Sequence, residues 1–228
     1  IMSSIHNLGR VYEKTRRFDL VEAQFLKAAE KDWANAQNSL GHWYYTNKNN
    51  KAGHDVKKAE YWFTKAAKKD HDLALHALGS IHRDRGEYDK AIGFFEKSYA
   101  KGKNRPDNQS AKALGHFYSK GPAPEYHNRK KALYWYNELA KRGAADDLYQ
   151  AAAYYLADAG EGEDSWNSPQ ALQGMKWMVE AGSKGERDAK IDIYRKWHAC
   201  FAIVSEKRRY NCAMMAAAEN EHARIFLA

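Results

Sequence analysis

Two cysteines and four prolines in 228 residues are too few for a disulfide-stapled scaffold or a proline-rich extended chain. No apolar run approaches the roughly eighteen residues that cross a bilayer as a helix. The opening stretch, IMSSIHNLGR, has no basic segment followed by an apolar one, so no secretion signal is read there. A start at Ile1 and an end at ARIFLA read as a piece cut from a longer chain. Signatures of catalysis are missing too. There is no His-Glu-x-x-His, no Gly-x-Ser-x-Gly, no Gly-x4-Gly-Lys-Ser/Thr, and no close Cys/His cluster with metal-ligand spacing. Glu161, Glu163 and Asp164 sit together in GEGEDS, where a solvated turn accounts for them. No catalytic residue, metal ligand or cofactor is assigned.

Positive charge is in excess, with 37 Lys and Arg against 29 Asp and Glu, for a net charge of +8. That excess favours an anionic partner, whether nucleic acid, anionic lipid or an acidic protein. The lysines, however, alternate with acids in stretches such as KAAEKD and FFEKSYAKGK, the pattern of solvated helix faces. With 44% hydrophobic residues the chain can bury a core and is not a disordered one.

The organising feature is a repeat. Leu8-Gly9, Leu40-Gly41, Leu78-Gly79 and Leu114-Gly115 recur at intervals of 32, 38 and 36 residues, with degenerate copies at Ala152-Ala153 and Ile193-Tyr194. A second anchor follows each of them: Ala28-Ala29, Ala66-Ala67, Ser98-Tyr99, Leu139-Ala140, Ala181-Gly182 and Ala217-Ala218. Two independent anchors agree on units at about 1–33, 34–71, 72–107, 108–144, 145–185 and 186–222 in one repeat domain spanning 1–228, with a further helix beginning after the sixth. Each unit reads as two helices. In the second unit Ala36, Leu40, Trp43 and Tyr44 form one apolar stripe, and Ala59, Trp62, Phe63, Ala66 and Ala67 form another at offsets of 3, 4, 7 and 8. Breakers separate them, and Ser168-Pro169 reads as an N-cap followed by the first helical residue.

A glycine inside a helix costs about 1 kcal/mol against alanine. Gly9, Gly41, Gly79 and Gly115 therefore need compensation, and close approach of the partner helix supplies it, with a neighbouring Tyr or Trp over the gap and the paired Ala66 and Ala67 opposite. Large residues are expected to fill the space between units, at the slot of Trp62, Phe94, Trp135 and Trp177 and at the next slot, Phe25, Phe63, Phe95, Tyr136 and Met178. A helix pair this short cannot bury its stripe alone, so stacking supplies the core.

The stretches AQNSLGHWYY…VKKAEYWFTKAAKKD and AKALGHFYSKG…RKKALYWYNELAKRG resemble the Sel1-like repeat (SLR), a longer-looped relative of the tetratricopeptide repeat. The third unit, with the short turn and YDKAI, looks like a plain tetratricopeptide unit. The first departs at Val21, where the family places Ala, and the fifth and sixth lose the Leu-Gly. The resemblance covers essentially the whole chain. It implies an all-α, right-handed superhelical solenoid of about six helix-turn-helix repeats, a concave surface that binds protein, and no enzymatic activity.

Expectations for function follow. Tyr45, Tyr61, Tyr134 and Trp166 lie outside the packing slots, and with the basic turns at Arg83 and Arg85 they are the expected partner-binding residues. Tyr61 and Tyr134 share one slot, part of a ladder along one surface. His42 and His116 share another, as repeat residues rather than ligands. Cys200 and Cys212 fall at similar distances either side of a turn near Ser205–Lys207, level with each other on an antiparallel hairpin. A disulfide there would imply an oxidising compartment such as a bacterial periplasm; two buried thiols are the alternative and leave a cytoplasmic chain. The reading is a non-enzymatic scaffold holding a protein partner, in its most specific form a bacterial immunity protein neutralising a secreted toxin, of the lipase type delivered by type VI secretion, with an acidic surface. The alternatives are an adaptor or regulator in a bacterial envelope complex, and nucleic-acid binding.

Overall fold

The two helical stripes read in the second unit are present in the computed structural model, which describes residues 2–46, 55–102, 105, 109–159 and 168–185. Among these residues there are ten α-helices, one 3-10 turn and no strand. They alternate as first and second helices of five pairs. The pairs are α1 (Met2–Lys14) with α2 (Phe18–Ala29), α3 (Ala34–Thr46) with α4 (Val56–Ala67), α5 (Asp72–Asp84) with α6 (Tyr88–Gly102), α7 (Ser110–Lys120) with α8 (Arg129–Ala140), and α9 (Ala145–Ala159) with α10 (Pro169–Ser183). The chain divides into two compact units, Ile1–Ser110 and Ala111–Ala228. Trp166, Cys200, Cys212 and the sixth repeat lie outside the described residues.

The helix ends have local causes. Asp55 caps α4 by accepting from the Lys58 amide at 2.9 Å, and Asn128 does the same for α8 from Lys131 at 3.0 Å. Ser168 accepts from the Ala171 amide at 3.1 Å with Pro169 following, as the sequence suggested. The turns after α2, α4 and α8 pass through left-handed residues, Asp32, Asp70 and Gly143, the residue types that tolerate positive φ. A lysine from the next pair reaches back to each of these turns. Lys69 bonds Asp32, Lys101 reaches the Asp70 carboxylate at 2.7 Å, and Lys184 reaches the Gly143 carbonyl at 2.7 Å.

Inside the first unit the core runs continuously through Val21, Phe25, Leu40, Trp43, Tyr44, Trp62, Phe63, Leu78 and Ile81, all buried. Second helices contact the first helices of the following pairs, α2 with α3 and α4 with α5. The glycines sit where helices cross closely. A Cβ on Gly9, Gly41 or Gly79 would lie 2.6–2.7 Å from the ring of Phe25, Phe63 or Phe95, shorter than any tolerable contact. On Gly115 it would lie 3.2 Å from Tyr136. This corrects the expected division of labour. The ring over each glycine is the Phe or Tyr of the same pair's second helix, so that slot closes the hairpin rather than filling between repeats. Ala66 is fully buried opposite, while Ala67 is only half-buried.

The fifth pair, which lacks the Leu-Gly, solves the same problem from the other helix. Gly174 on α10 faces α9, and a Cβ there would meet Leu156 at 2.9 Å and Tyr155 at 3.1 Å. Its register on α10 is that of Ala59 on α4. The residue without a Cβ has moved across the hairpin.

Candidate functional site

The described residues hold no group of three or more His, Cys, Asp or Glu arranged to bind a metal, and no helix among them is long and apolar enough to cross a membrane. The chemistry on offer is that of surfaces. Two are distinguishable within the first unit: the exposed side of the first helices, and the outward stripe of the second helices.

Relative to the inward glycine, the outer side of the first helices is made of residues one and five positions later and two and six positions earlier, which range from exposed to half-buried except for the buried Ala77 on α5. On α1 these are Asn7, Arg10 and Lys14; on α3, Asn35, Ser39, His42 and Thr46; on α5, Leu73, Ser80 and Asp84. On α1 and α3 the face is built of amide, hydroxyl, imidazole and cationic groups, and α5 adds the apolar Leu73. Its one carboxylate, Asp84, is already held: Arg83 donates to it at 2.9 and 3.0 Å, and the Tyr45 hydroxyl lies 3.3 Å away. The surface therefore presents donors without a free negative charge.

Beside this face lies a bridging slot, three residues before each anchor glycine. His6 Nε2 is 2.7 Å from Ser39 Oγ and His76 Nδ1 is 3.0 Å from Ser110 Oγ, each joining one first helix to the next. In the second unit Lys112 Nζ pairs with Asp146 at 3.2 Å from the same slot. His76 heads a short relay. The Asp72 carbonyl can only accept, so Ser98 donates to it at 2.7 Å, Ser110 donates to Ser98 at 2.7 Å, and His76 Nδ1–H donates to Ser110. Burial pushes the His76 pKa down to about 4, with the Arg83 and His42 charges adding to it. His71 is likewise held neutral, chiefly by burial. Its Nδ1 accepts from the Ala74 amide at the start of α5, leaving Nε2–H to donate to Asn35 Oδ1 at 3.1 Å.

The residues expected to bind a partner divide into two sets. Tyr45 is half-buried, leaning edge-on against Phe63 at 6.4 Å, and burial followed by the nearby Asp84 raises its pKa. Arg83 is occupied by Asp84, and Arg85 makes a two-pronged pair with Glu60 at 3.0 and 2.5 Å. Tyr61 and Tyr134, by contrast, are 55% and 54% exposed. Each ring stands edge-on to the buried tryptophan after it, Trp62 or Trp135, with centroids 5.0 Å apart in both cases. The slot is not a continuous ladder, for α2 and α6 carry Ala23 and Gly93 there. The bridging slot went unnoticed in the sequence although a signal exists: His6, Asn38, His76, Lys112 and Gln150, three residues before the five anchors, are all polar on an otherwise apolar arc.

Comparison with known proteins agrees with this architecture. A tetratricopeptide repeat family model matches residues 74–109. No curated protein sequence matches the chain. Among solved structures, the chain is similar to c5321, a protective antigen of uropathogenic Escherichia coli with an SLR fold, at 21% identity and a TM-score of 0.66. That match takes in 100% of this chain and 48% of the antigen, so the chain spans about half of that relative's length. It is also similar to a Sel1 repeat protein from Oxalobacter formigenes (17% identity, TM-score 0.67, 99% of this chain and 88% of that one). A third match is the immunity protein Pa5087 from Pseudomonas aeruginosa (17% identity, TM-score 0.55, 99% and 78%). With its paired helices, its glycine-over-ring crossings and these likenesses, the chain has the α-solenoid fold of the Sel1-like and tetratricopeptide repeat proteins.

Proposed function

We propose that the chain is a non-enzymatic scaffold that holds a protein partner against the exposed side of its first helices, and that it acts as an immunity-type inhibitor of a bacterial toxin. The observation that carries the first part is the composition of that side. On α3 His42 and Thr46 are not needed to fill the core, Asn35 and Ser39 already bond His71 and His6, and the one carboxylate described on that side is held by Arg83. A surface of donors without free carboxylates suits a partner that brings its own carbonyls and carboxylates. The immunity reading draws on the likeness to Pa5087, a protein described as an immunity protein.

Co-purification from the native host under mild crosslinking tests both parts. The expected result is one dominant protein partner, lost from Thr46→Arg and His42→Glu variants that melt like the parent. For the immunity reading that partner is toxic when produced alone and harmless when produced with this chain. Recovery of nucleic acid in place of protein would overturn the scaffold reading. A non-toxic partner would leave the scaffold standing and remove the immunity role. Because the complementarity is partly electrostatic, association should slow severalfold between about 50 and 200 mM salt.

A further inference from the structure

On α4 the positions Lys57, Tyr61, Thr64 and Lys68 fall at offsets of 4, 7 and 11, which places them on one outward stripe, and all four are exposed. Lys65 lies alongside, its Nζ 4.9 Å from the Tyr61 centroid and 5.0 Å from that of Trp62. The carboxylates nearest in sequence are already engaged, Asp55 in the helix cap and Glu60 with Arg85. Among the described residues no ion pair is formed by Lys57, Lys65 or Lys68. Nothing in the packing calls for a tyrosine here, since Ala23 and Gly93 fill the same slot on α2 and α6.

We propose that this stripe is a second docking surface, separate from the first-helix face, and that it takes a carboxylate-rich segment of a protein. Lysines at either end of the stripe, about 16 Å apart along the axis at about 1.5 Å per residue, receive side-chain or terminal carboxylates. The Tyr61 ring between them, propped by Trp62, gives an apolar and hydrogen-bonding anchor. The occupant is narrow rather than broad. At the corresponding outward positions Glu30 follows α2 and α6 carries Asp89 and Glu96, all exposed, with the exposed Lys27 and Lys97 in the register of Lys65. On those second helices the acids alternate with Lys27 and Lys97, so they carry mixed charge while the α4 stripe carries lysines without an acid, which favours a chain running along α4 over a duplex or a lipid surface that spans several helices. The second unit holds a weaker copy. Lys130, Tyr134, Asn137 and Lys141 repeat the stripe on α8, but Glu138 stands where Lys65 does and bonds Lys141.

The test is fluorescence anisotropy on the whole 228-residue chain, with a labelled glutamate-rich decapeptide, its glutamine counterpart and a labelled ten-nucleotide oligo-dT as probes. The glutamate peptide should bind, with the glutamine peptide at least about tenfold weaker and the oligonucleotide also weaker at equal salt. Lys57→Glu with Lys68→Glu should reduce binding about tenfold or more, and Tyr61→Ala about threefold or more. The charge-matched pair Lys27→Glu with Lys97→Glu, at exposed positions off the stripe, should change it less than about twofold. Lys130→Glu should cost less than Lys57→Glu. Equal losses from the two charge-matched pairs, tighter binding of the oligonucleotide, or no peptide binding at about 50 mM salt would each overturn the proposal. Melting curves check that every variant is folded. Because Thr46→Arg leaves this surface untouched, failure of the first-helix reading and failure of this one are separable.

Discussion

The pairs α3–α4 and α7–α8 were cut to one pattern and then used differently. Both carry a capping residue before the second helix, a lysine over the first helix's tyrosine (Lys58 over Tyr44 at 5.1 Å, Lys131 over Tyr118 at 4.8 Å), and an exposed tyrosine edge-on to a buried tryptophan. They differ at the crossing, where Phe63 sits 2.6 Å from the place of a Gly41 Cβ but Tyr136 sits 3.2 Å from that of Gly115. They also differ in how their units join neighbouring first helices. The first unit uses neutral imidazoles on serines, and the second uses a lysine on an aspartate. The shared features are those that make a helix pair. The differences set how each unit responds to acid, to added volume and to charge.

The largest expected difference is in acid. His76 is held at about 4 in the folded state against about 6.5 in the unfolded chain, so the unfolded state binds more protons between those values. Its contribution is fully present above about pH 6.5 and is lost as pH falls toward 4, by up to about 3 kcal/mol. His71 acts in the same direction. In the second unit Asp147 has its pKa raised, chiefly by burial, with the neighbouring Arg142 opposing. Protonation of Asp147 therefore favours the folded state, and its effect has the opposite sign. Hydrogen exchange at pH 7 and pH 4.5, corrected for intrinsic rates, should show α5 and α6 losing protection while α8–α10 hold theirs. His76→Gln should flatten the response of the first unit. Equal loss across both units would mean that the imidazoles are not the acid-sensitive element.

Next in size is the response to one added methyl. Alanine gains about 1 kcal/mol over glycine in a helix interior, and overpacking a tight crossing costs about 1–3 kcal/mol. At Gly41 the missing Cβ would sit inside the ring contact distance of Phe63, so the cost wins and Gly41→Ala should destabilise by about 1–2 kcal/mol. At Gly115 the contact with Tyr136 is tight but not prohibitive, and Gly115→Ala should stay within about 1 kcal/mol of the parent. Denaturant titrations with equal m-values measure both. Tyr136 is stacked on Tyr154 at 4.4 Å, so a loss at Gly115 as large as that at Gly41 would mean this stack holds the ring rigidly in place.

These crossings mark what the sequence made readable. Glycines four times in register, with an aromatic ring sixteen to twenty-two residues on, revealed the helix pairs because packing writes the same small and large residues into every repeat. The Ser168-Pro169 start of α10 was readable for the same reason: a cap is local chemistry. Exposure of Tyr61 and Tyr134 also followed from their slot. Pairwise charge did not. That Arg85 is spent on Glu60, or Arg83 on Asp84, depends on which helices stand side by side, and no periodicity encodes it. Tyr45 escaped for a related reason. It lies at the edge of the apolar arc, where a small rotation of the helix decides between solvent and the Phe63 ring. The relocation of the glycine to Gly174 was hidden because the repeat was anchored on the first helix alone.

Smaller, and useful as a control on the comparison, are the two caps. Asp55 and Asn128 make the same bond in the same place, so Asp55→Ala and Asn128→Ala should each cost about 1 kcal/mol. A difference of more than about 1 kcal/mol between them would show that the two pairs are not equivalent even in their local chemistry.

The smallest effect separates the two outward stripes. Lys65 lies over both Tyr61 and Trp62, and at exposed sites such contacts are worth about 0.5–1 kcal/mol. Lys65→Glu converts the α4 stripe to the charge pattern of α8 and should lower stability by no more than about 1 kcal/mol. The reverse change, Glu138→Lys, removes the pair with Lys141 but puts a cation within a turn of Tyr134, so its net effect should be under about 0.5 kcal/mol in either direction. Stability is thus nearly indifferent to which charge stands beside the tyrosine. If the exchange nevertheless moves anionic-peptide binding from the first unit to the second, Lys65 is there for recognition and not for the fold.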